Sequence, residues 1–221
     1  MAPQVEILPD ADAVARRGAS YVAEQARAAV GDHGRFAFAV SGGHTPWAMF
    51  AHLAAEDMPW EKTAIYQVDE RVAPDGDPDR NLTHLLASLP PDSGAEIHPL
   101  PVEEPDLEAA AASYGSSLPA SFDLIHLGLG PDGHTASLVP GDPVLEVTDR
   151  AVAVTGAYQG HQRMTLTYPT LNAAKQLVWL VTGEDKVDAL RRLQSGDRSI
   201  PGGRVAAASS LAIADAAAAG S

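Results

Sequence analysis

The sequence predicts an α/β fold in which a mainly parallel sheet is covered by helices on both faces. One basis is the alternation of short, continuously apolar runs with longer segments of helical spacing, because strands buried on both faces lack polar alternation. The other is that polar, glycine-rich clusters follow the apolar runs, at the edge where open parallel sheets bind ligands. The four clusters are 41–45, 69–71, 128–134 and 182–186.

Length and composition limit the classes of function that this chain can have. The chain has 221 residues, suited to one domain (1–221), and 15 Lys and Arg against 29 Asp and Glu give a formal net charge of −14. That balance argues against nucleic-acid and acidic-membrane binding. The lack of cysteine excludes disulfides, thiolate nucleophiles and zinc–thiolate sites. No membrane span or signal-peptide pattern is evident, so we expect a cytoplasmic protein.

The elements follow from periodicity and capping residues. The first helix is expected over 11–30, with Asp10 as N-cap and Gly31 as C-cap. Thr45 is expected to cap a second helix that begins at Pro46. Strands are predicted at 36–40, 64–68, 122–129, 151–155, 164–167, 176–181 and 205–208. Further helices are predicted at 81–88, 106–118 and 184–194, and the alanine-rich tail 210–219 is compatible with a helix or a frayed end.

The segment Asp132-Gly133-His134, after a buried strand, contains the candidate general base. A histidine titrates near neutral pH and takes a proton from water under physiological conditions. Either Asp132 or Asp69, which ends another strand, is a candidate to hold the imidazole tautomer. The alternative is an ordinary turn with a surface histidine. The GxGxxG pattern at 128–133 is weak evidence for a dinucleotide site, because no acidic residue ends a following strand.

Residues with anion-binding chemistry recur at the same predicted edge. Ser41-Gly42-Gly43 joins a strand to a helix, where backbone N–H groups favour an anion. Arg71 offers a planar fork for phosphate, and Lys186, in the first turn of a helix, favours a nearby anion. Each also has an ordinary interpretation. The glycine segment is then a tight turn, Arg71 forms a local ion pair, and Lys186 is a surface lysine. No HExxH or GxSxG motif and no metal-ligand spacing of histidines is present.

Five motifs, in order over most of the chain, resemble those of the 6-phosphogluconolactonase family. They are VSGGHTP at 40–46, VDER at 68–71, GLGPDGHTASLVPG at 128–141, RMTLT at 163–167 and GEDK at 183–186. The resemblance implies a three-layer, Rossmann-like fold. It implies hydrolysis of 6-phospho-D-glucono-1,5-lactone to 6-phosphogluconate, the second step of the oxidative pentose phosphate pathway. It also implies no metal and no organic cofactor.

The resemblance assigns His134 as the expected base, with Asp132 and Asp69 as further catalytic candidates. The positions it implies around the substrate are Ser41, Gly42, Gly43, Arg71, Asn81, Arg163 and Lys186. Arg80 stands where the family usually has serine, so its role is open, and Val139 replaces the usual phenylalanine. The expected partner is a phosphorylated sugar lactone, bound by a monomer or a small homo-oligomer.

Two alternatives stay open at this point. An amino-sugar-phosphate deaminase-isomerase would use the aspartate that matches Asp69, but such relatives carry an acid in the segment where this chain has Val139. A non-catalytic sugar-phosphate sensor of the kind found in transcription regulators would need a DNA-binding helix pair and a basic patch, and neither is evident.

Overall fold

The structure, a computed structural model, describes residues 2–221, and a seven-stranded sheet forms its centre. All neighbouring strands of this sheet pair in parallel. Their spatial order is β1 (Gln4–Leu8), β10 (Ser209–Asp215), β9 (Gln176–Val181), β6 (Leu124–Leu127), β2 (Phe36–Val40), β3 (Thr63–Gln67) and β5 (Glu96–His98). The predicted mainly parallel α/β fold is therefore confirmed.

Helices cover both faces of this sheet, which gives three layers. Phe38 and Val40 of β2 pack on one face and Ala39 on the other, as the two-residue period of a strand requires. One face carries α1 (Ala11–His33), α2 (His44–Leu53) and α3 (Asn81–Ser88). The opposite core includes α4 (Leu107–Ser117), α5 (Tyr168–Asn172), α6 (Val187–Gln194) and α8 (Ala216–Ala219), and the short α7 spans Pro201–Arg204. No helix within residues 2–221 has the length and apolarity of a membrane-crossing segment.

A second sheet of three short antiparallel strands was not predicted as a separate unit. Its order is β4 (Asp69–Arg71), β8 (Arg163–Leu166) and β7 (Val152–Val154). Arg71 lies directly opposite Arg163 in this register. Strands of three or four residues leave too short a pattern for sequence reasoning to place, yet this pairing brings two arginines distant in the chain together.

Three predicted helix ends are wrong. The expected start at 184 is a 3-10 turn, Glu184–Lys186, so Lys186 precedes α6 rather than lying in its first turn. Glycine backbone geometry explains the other two. Helix α1 continues through Gly31 to His33, and its C-cap is Gly34, which adopts φ 87° and donates its N–H to the Val30 carbonyl. Helix α2 begins at His44 rather than at Pro46, because Gly43 is the N-cap residue. Thr45, the expected cap, instead lies inside the helix, and its hydroxyl contacts the hydroxyl of Thr182 in another loop.

The C-terminal predictions also need correction. Residues 205–208 are not a strand. The last strand is β10, which occupies most of the tail expected to be helical or frayed, and only Ala216–Ala219 of that tail is helical. Ala212 and Ala214 are fully buried in β10, between β1 and β9. Small side chains in a central strand are selected by packing, which overrides their intrinsic preference for helix. The two edge strands, β1 and β5, were not predicted.

Candidate active site

A cleft of about 540 Å³ lies at the carboxyl edge of the large sheet. It gathers the ends of strands from both sheets, as expected for ligand binding in open α/β folds. The predicted site residues that line it are Ser41, Gly42, Gly43, Asp69, Arg71, Asn81, His134, Arg163 and Lys186. Asp132 is the one predicted site residue outside the lining, because it lies behind His134.

Asp132 holds the imidazole of His134 in one orientation. Its Oδ1 lies 2.6 Å from Nδ1 of His134 and accepts the backbone N–H of the same residue at 3.0 Å. Burial opposes ionisation of Asp132, but the hydrogen bonds from His134 outweigh it and lower the pKa of that carboxyl. An ionised carboxylate only accepts hydrogen bonds, so Nδ1 of His134 carries the hydrogen that it donates to Asp132, and the lone pair of the neutral imidazole lies on Nε2.

Two glycines make this arrangement possible. A Cβ at Gly130 would lie 2.0 Å from Nδ1 of His134, so any other residue would displace the imidazole. Gly133 adopts φ 81°, and a Cβ there would lie 2.5 Å from Cβ of Ile200. The GxGxxG pattern thus serves to pack the histidine turn closely against its own backbone and against α7. With 22% of its side chain exposed, His134 is partly covered rather than a free surface residue.

Three cationic side chains line the same cleft. Arg163 is 5% exposed, and its Nε has no hydrogen-bond partner within residues 2–221. Its Nη1 lies 4.0 Å from Oδ2 of Asp69, and burial lowers the pKa of the Arg163 guanidinium. Lys186 Nζ lies 2.7 Å from Oδ2 of Asp185. With Arg71 across the small sheet, these groups give the cleft three cations against two lining carboxylates, Asp69 and Asp185, on a strongly acidic chain.

Asp69 belongs to a buried hydrogen-bonded pair. Ser137 donates its hydroxyl to Oδ2 of Asp69 at 2.6 Å, and Ser137 itself is fully buried. Burial raises the pKa of Asp69, although the Ser137 hydroxyl and Arg163 favour the charged form. Sequence reasoning missed Ser137 as a site residue. Its place within the matched motif at 128–141 was the available signal.

Glu70, beside Asp69, turns away from the cleft and organises its wall. This fully buried carboxylate accepts the backbone N–H groups of Arg71, Asn81 and Leu82, each at 2.8 Å. Nε of Arg80 lies 3.6 Å from Glu70, and that guanidinium is 3% exposed. Arg80 therefore balances a buried charge at the start of α3, which answers the question left open by its unusual position.

Asn81 and the glycine turn after β2 fit against each other. Asn81 donates Nδ2 to the Asp69 carbonyl at 2.9 Å. A Cβ at Gly42 would lie 1.9 Å from Oδ1 of Asn81, so the close approach requires glycine. Gly43 adopts φ 126°, and no side chain from residues 2–221 caps the N-terminus of α2. The first backbone N–H groups of α2 therefore remain available at the cleft.

The loop that carries Lys186 is fastened by a residue the sequence analysis missed. Asp215, at the end of β10, accepts the N–H of Gly183 at 3.1 Å and that of Ala218 at 2.8 Å. On the other side, hydroxyls of Thr182 and Thr45 lie 2.9 Å apart and join this loop to α2. Asp215 lies far from the motifs in the chain, so only the β9–β10 pairing reveals its role.

Comparison with known proteins identifies the family. The family model described as glucosamine-6-phosphate isomerases/6-phosphogluconolactonase matches residues 9–213. The chain belongs to this family. A 6-phosphogluconolactonase of Synechocystis is 38% identical over 205 residues, which cover 86% of this chain and 84% of the relative. The rat 6-phosphogluconolactonase is 37% identical and covers 85% of this chain and 80% of the relative.

The family fold is also evident from solved structures. A 6-phosphogluconolactonase from Shewanella baltica superposes with a TM-score of 0.85 at 26% identity, and the superposition covers 97% of this chain and 98% of that protein. A monomeric glucosamine-6-phosphate deaminase gives the same TM-score of 0.85 at 17% identity, covering 98% of this chain and 99% of its own. Within the family, therefore, the fold alone does not separate lactone hydrolysis from deamination.

Proposed function

We propose that this protein hydrolyses 6-phospho-D-glucono-1,5-lactone to 6-phosphogluconate in the pentose phosphate pathway. The observation that carries the proposal is one cleft in which an aspartate-bound imidazole, His134, faces the cationic groups of Arg71, Arg163 and Lys186. The curated relatives named 6-phosphogluconolactonase support the same reaction. A single bound molecule with a phosphate at one end and a lactone carbonyl at the other matches these two groups.

The cations account for selection of a phosphorylated substrate. Arg163 has an unpartnered buried Nε within the described residues and few competing contacts, so a phosphate dianion satisfies its donors well. Lys186 is paired with Asp185 and would exchange that partner for phosphate. Because the whole chain carries −14, this local charge is what would draw an anion to the cleft.

His134 acts as the general base of the hydrolysis. Nε2 removes a proton from a water molecule, and the water oxygen bonds to C1 of the lactone, giving a tetrahedral oxyanion. The C1–O5 bond then breaks, the carbonyl re-forms as a carboxylic acid, and the ring oxygen receives the proton from His134. Asp132 supports the transient imidazolium. The free N–H groups at the start of α2 are the donors that we assign to the oxyanion.

Asp69 supports the phosphate side rather than the proton transfer. Its Oδ2 accepts the Ser137 hydroxyl and faces Arg163, so its contacts orient the guanidinium. Its raised pKa reflects burial among these groups. We therefore assign Asp69 to positioning in lactone hydrolysis, with Ser137 as its partner.

The test is a coupled assay on freshly prepared lactone, in which 6-phosphogluconate formation is followed and the spontaneous rate is subtracted. The purified protein should accelerate hydrolysis well above that background. Ammonia release from glucosamine 6-phosphate, measured in parallel, should be absent. Ammonia release without lactone hydrolysis would replace the proposal with the deaminase alternative, and tight phosphosugar binding without either turnover would favour the sensor.

A further inference from the structure

A tight hairpin turn connects β7 to β8 beside the cleft. Tyr158 donates its N–H to the His161 carbonyl at 2.9 Å, and His161 returns one to Tyr158 at 3.3 Å. The two residues between them, Gln159 and Gly160, adopt φ 51° and 86°. Positive φ at both central positions is the type I′ pattern, which matches the twist of a hairpin. Glutamine is an uncommon choice there, because the left-handed region strains residues with a Cβ.

Contacts outside the turn hold it against neighbouring backbone. His161 Nε2 lies 3.0 Å from Oδ2 of Asp79. The N–H of Val72 donates to the Gln162 carbonyl at 2.9 Å. These links tie the hairpin to the segment that follows β4. The backbone of Tyr158 is therefore fixed from both sides of the turn.

The ring of Tyr158 contacts the two groups on which the proposed reaction depends. Its centroid lies 5.4 Å from that of the His134 imidazole, with an interplanar angle of 65°. Cζ of Arg163 lies 5.3 Å from the same centroid, over the ring face. Nη2 of Arg163 also donates to the Tyr158 carbonyl at 3.4 Å. Tyr158 is not among the residues that line the cleft, so it supports both groups from behind.

We propose that Tyr158 is a positioning residue that fixes the imidazole of His134 and the guanidinium of Arg163 relative to each other. The proposal rests on the proposed function of the cleft. Among the described residues, the imidazole has one side-chain hydrogen bond, to Asp132, about which it would otherwise rock. In the same part of the chain, the guanidinium has a 4.0 Å ion pair and the Tyr158 contacts as its polar and cation–π partners. A shared aromatic ring sets the distance between base and phosphate ligand, and reaction rates depend steeply on such placement.

The aromatic ring, rather than the hydroxyl, carries this role. Within residues 2–221, the hydroxyl has one hydrogen-bond partner, Nε2 of Gln159 at 3.4 Å, and this contact is long and exposed. Tyr158→Phe should therefore retain kcat and KM within about twofold of the wild type, because the ring contacts persist. Tyr158→Ala should lower kcat roughly tenfold and raise KM roughly tenfold, since both groups lose their support.

The experiment measures kcat and KM on the lactone for the wild type and for Tyr158→Ala, Tyr158→Leu and Tyr158→Phe. Tyr158→Leu retains the bulk of the side chain without a π face, so its KM should rise as in Tyr158→Ala. It provides the test if the alanine variant folds poorly. Tyr21→Ala is the matched control, because Arg17 Cζ lies 5.4 Å from the Tyr21 ring outside the cleft. It should lower the melting temperature without changing either kinetic constant.

A parallel titration with inorganic phosphate separates failure of this inference from failure of the proposed function. Phosphate affinity should fall about tenfold in Tyr158→Ala and Tyr158→Leu and stay unchanged in Tyr158→Phe. If the wild type does not hydrolyse the lactone, the proposed function fails, and the titration still decides the role of Tyr158 at Arg163. Unchanged kinetics and phosphate affinity in the alanine and leucine variants, or equal losses in the phenylalanine variant, would overturn the inference.

Discussion

A histidine paired with an aspartate occurs at both edges of the large sheet, and the two pairs differ in what surrounds them. At the carboxyl edge, Nδ1 of His134 lies 2.6 Å from Asp132. At the amino edge, Nε2 of His33 lies 2.9 Å from Asp123. The first pair borders a cleft with free backbone donors and cations. The carboxylate of the second pair is already satisfied by further contacts with the backbone and with Lys175.

Asp123 shows why the amino-edge pair is structural. Besides His33, it accepts the N–H of Ala37 at 2.9 Å and Nζ of Lys175 at 2.8 Å. It thereby joins α1, β2 and the starts of β6 and β9. On the proposed function, the surroundings of the carboxyl-edge pair give it its role, because the cations and backbone N–H groups of the cleft would place a substrate against the imidazole.

The largest expected difference between the edges is in turnover. His134→Gln should lower kcat by roughly 10²–10⁴-fold, because a general base contributes about that much. His33→Gln, the matched change at the amino edge, should leave kcat nearly unchanged. Melting curves of both variants serve as the folding control. Near-normal turnover of His134→Gln would remove His134 as the base.

A second contrast concerns binding of the phosphate. Arg71→Ala should raise KM for the lactone by about 10–100-fold, since a hydrogen bond between charged groups contributes roughly 1.5–3 kcal/mol. Lys175→Ala, the cation at the amino edge, should not change KM. Steady-state kinetics at constant ionic strength provide the comparison. An unchanged KM for Arg71→Ala would exclude Arg71 from the phosphate site.

The amino-edge pair should matter for stability instead. Burial disfavours ionisation of Asp123, but its hydrogen bonds from Ala37, Lys175 and His33 lower the pKa of this carboxyl overall. A carboxyl with a lowered pKa stabilises the folded state at pH values above its ordinary pKa of ~3.9. This stabilisation is lost as the pH falls below that value. Asp123→Asn should reduce the free energy of unfolding by about 1–3 kcal/mol at neutral pH. Urea unfolding at pH 7 and pH 3.5 would measure this, and an equal difference between wild type and variant at both pH values would contradict it.

A third histidine, His126, lies in the middle of the large sheet, between its two edges. His126 in β6 is fully buried, neither ring nitrogen has a partner within residues 2–221, and burial lowers its pKa to about 3. In the unfolded chain the imidazole of His126 takes up a proton as the pH falls below ~6.5, whereas in the folded chain it stays neutral. The free energy of unfolding therefore falls as the pH drops from ~6.5 toward 3. His126→Leu should raise the free energy of unfolding by about 1 kcal/mol at pH 7 and by more at pH 5. A variant less stable than the wild type at pH 5 would contradict this.

The sequence predicts more of the site than of its support. The strand-end clusters and the Asp132–His134 motif depend on local patterns, and the structure gathers nearly all of these residues in one cleft. The support is non-local: Asp215 holds the Lys186 loop across β9 and β10, and Tyr158 joins His134 to Arg163. Such partners depend on strand register and turn geometry, which short strands and an unusual Gln-Gly turn do not disclose in advance.

The most direct test of the account is a crystal structure with 6-phosphogluconate bound. The phosphate oxygens should lie within hydrogen-bond distance of the guanidinium groups of Arg71 or Arg163, or of Nζ of Lys186. The C1 carboxylate should lie beside Nε2 of His134. A ligand bound in the carboxyl-edge cleft with its carboxylate far from His134, or bound at the amino edge near His33, would contradict the central claim.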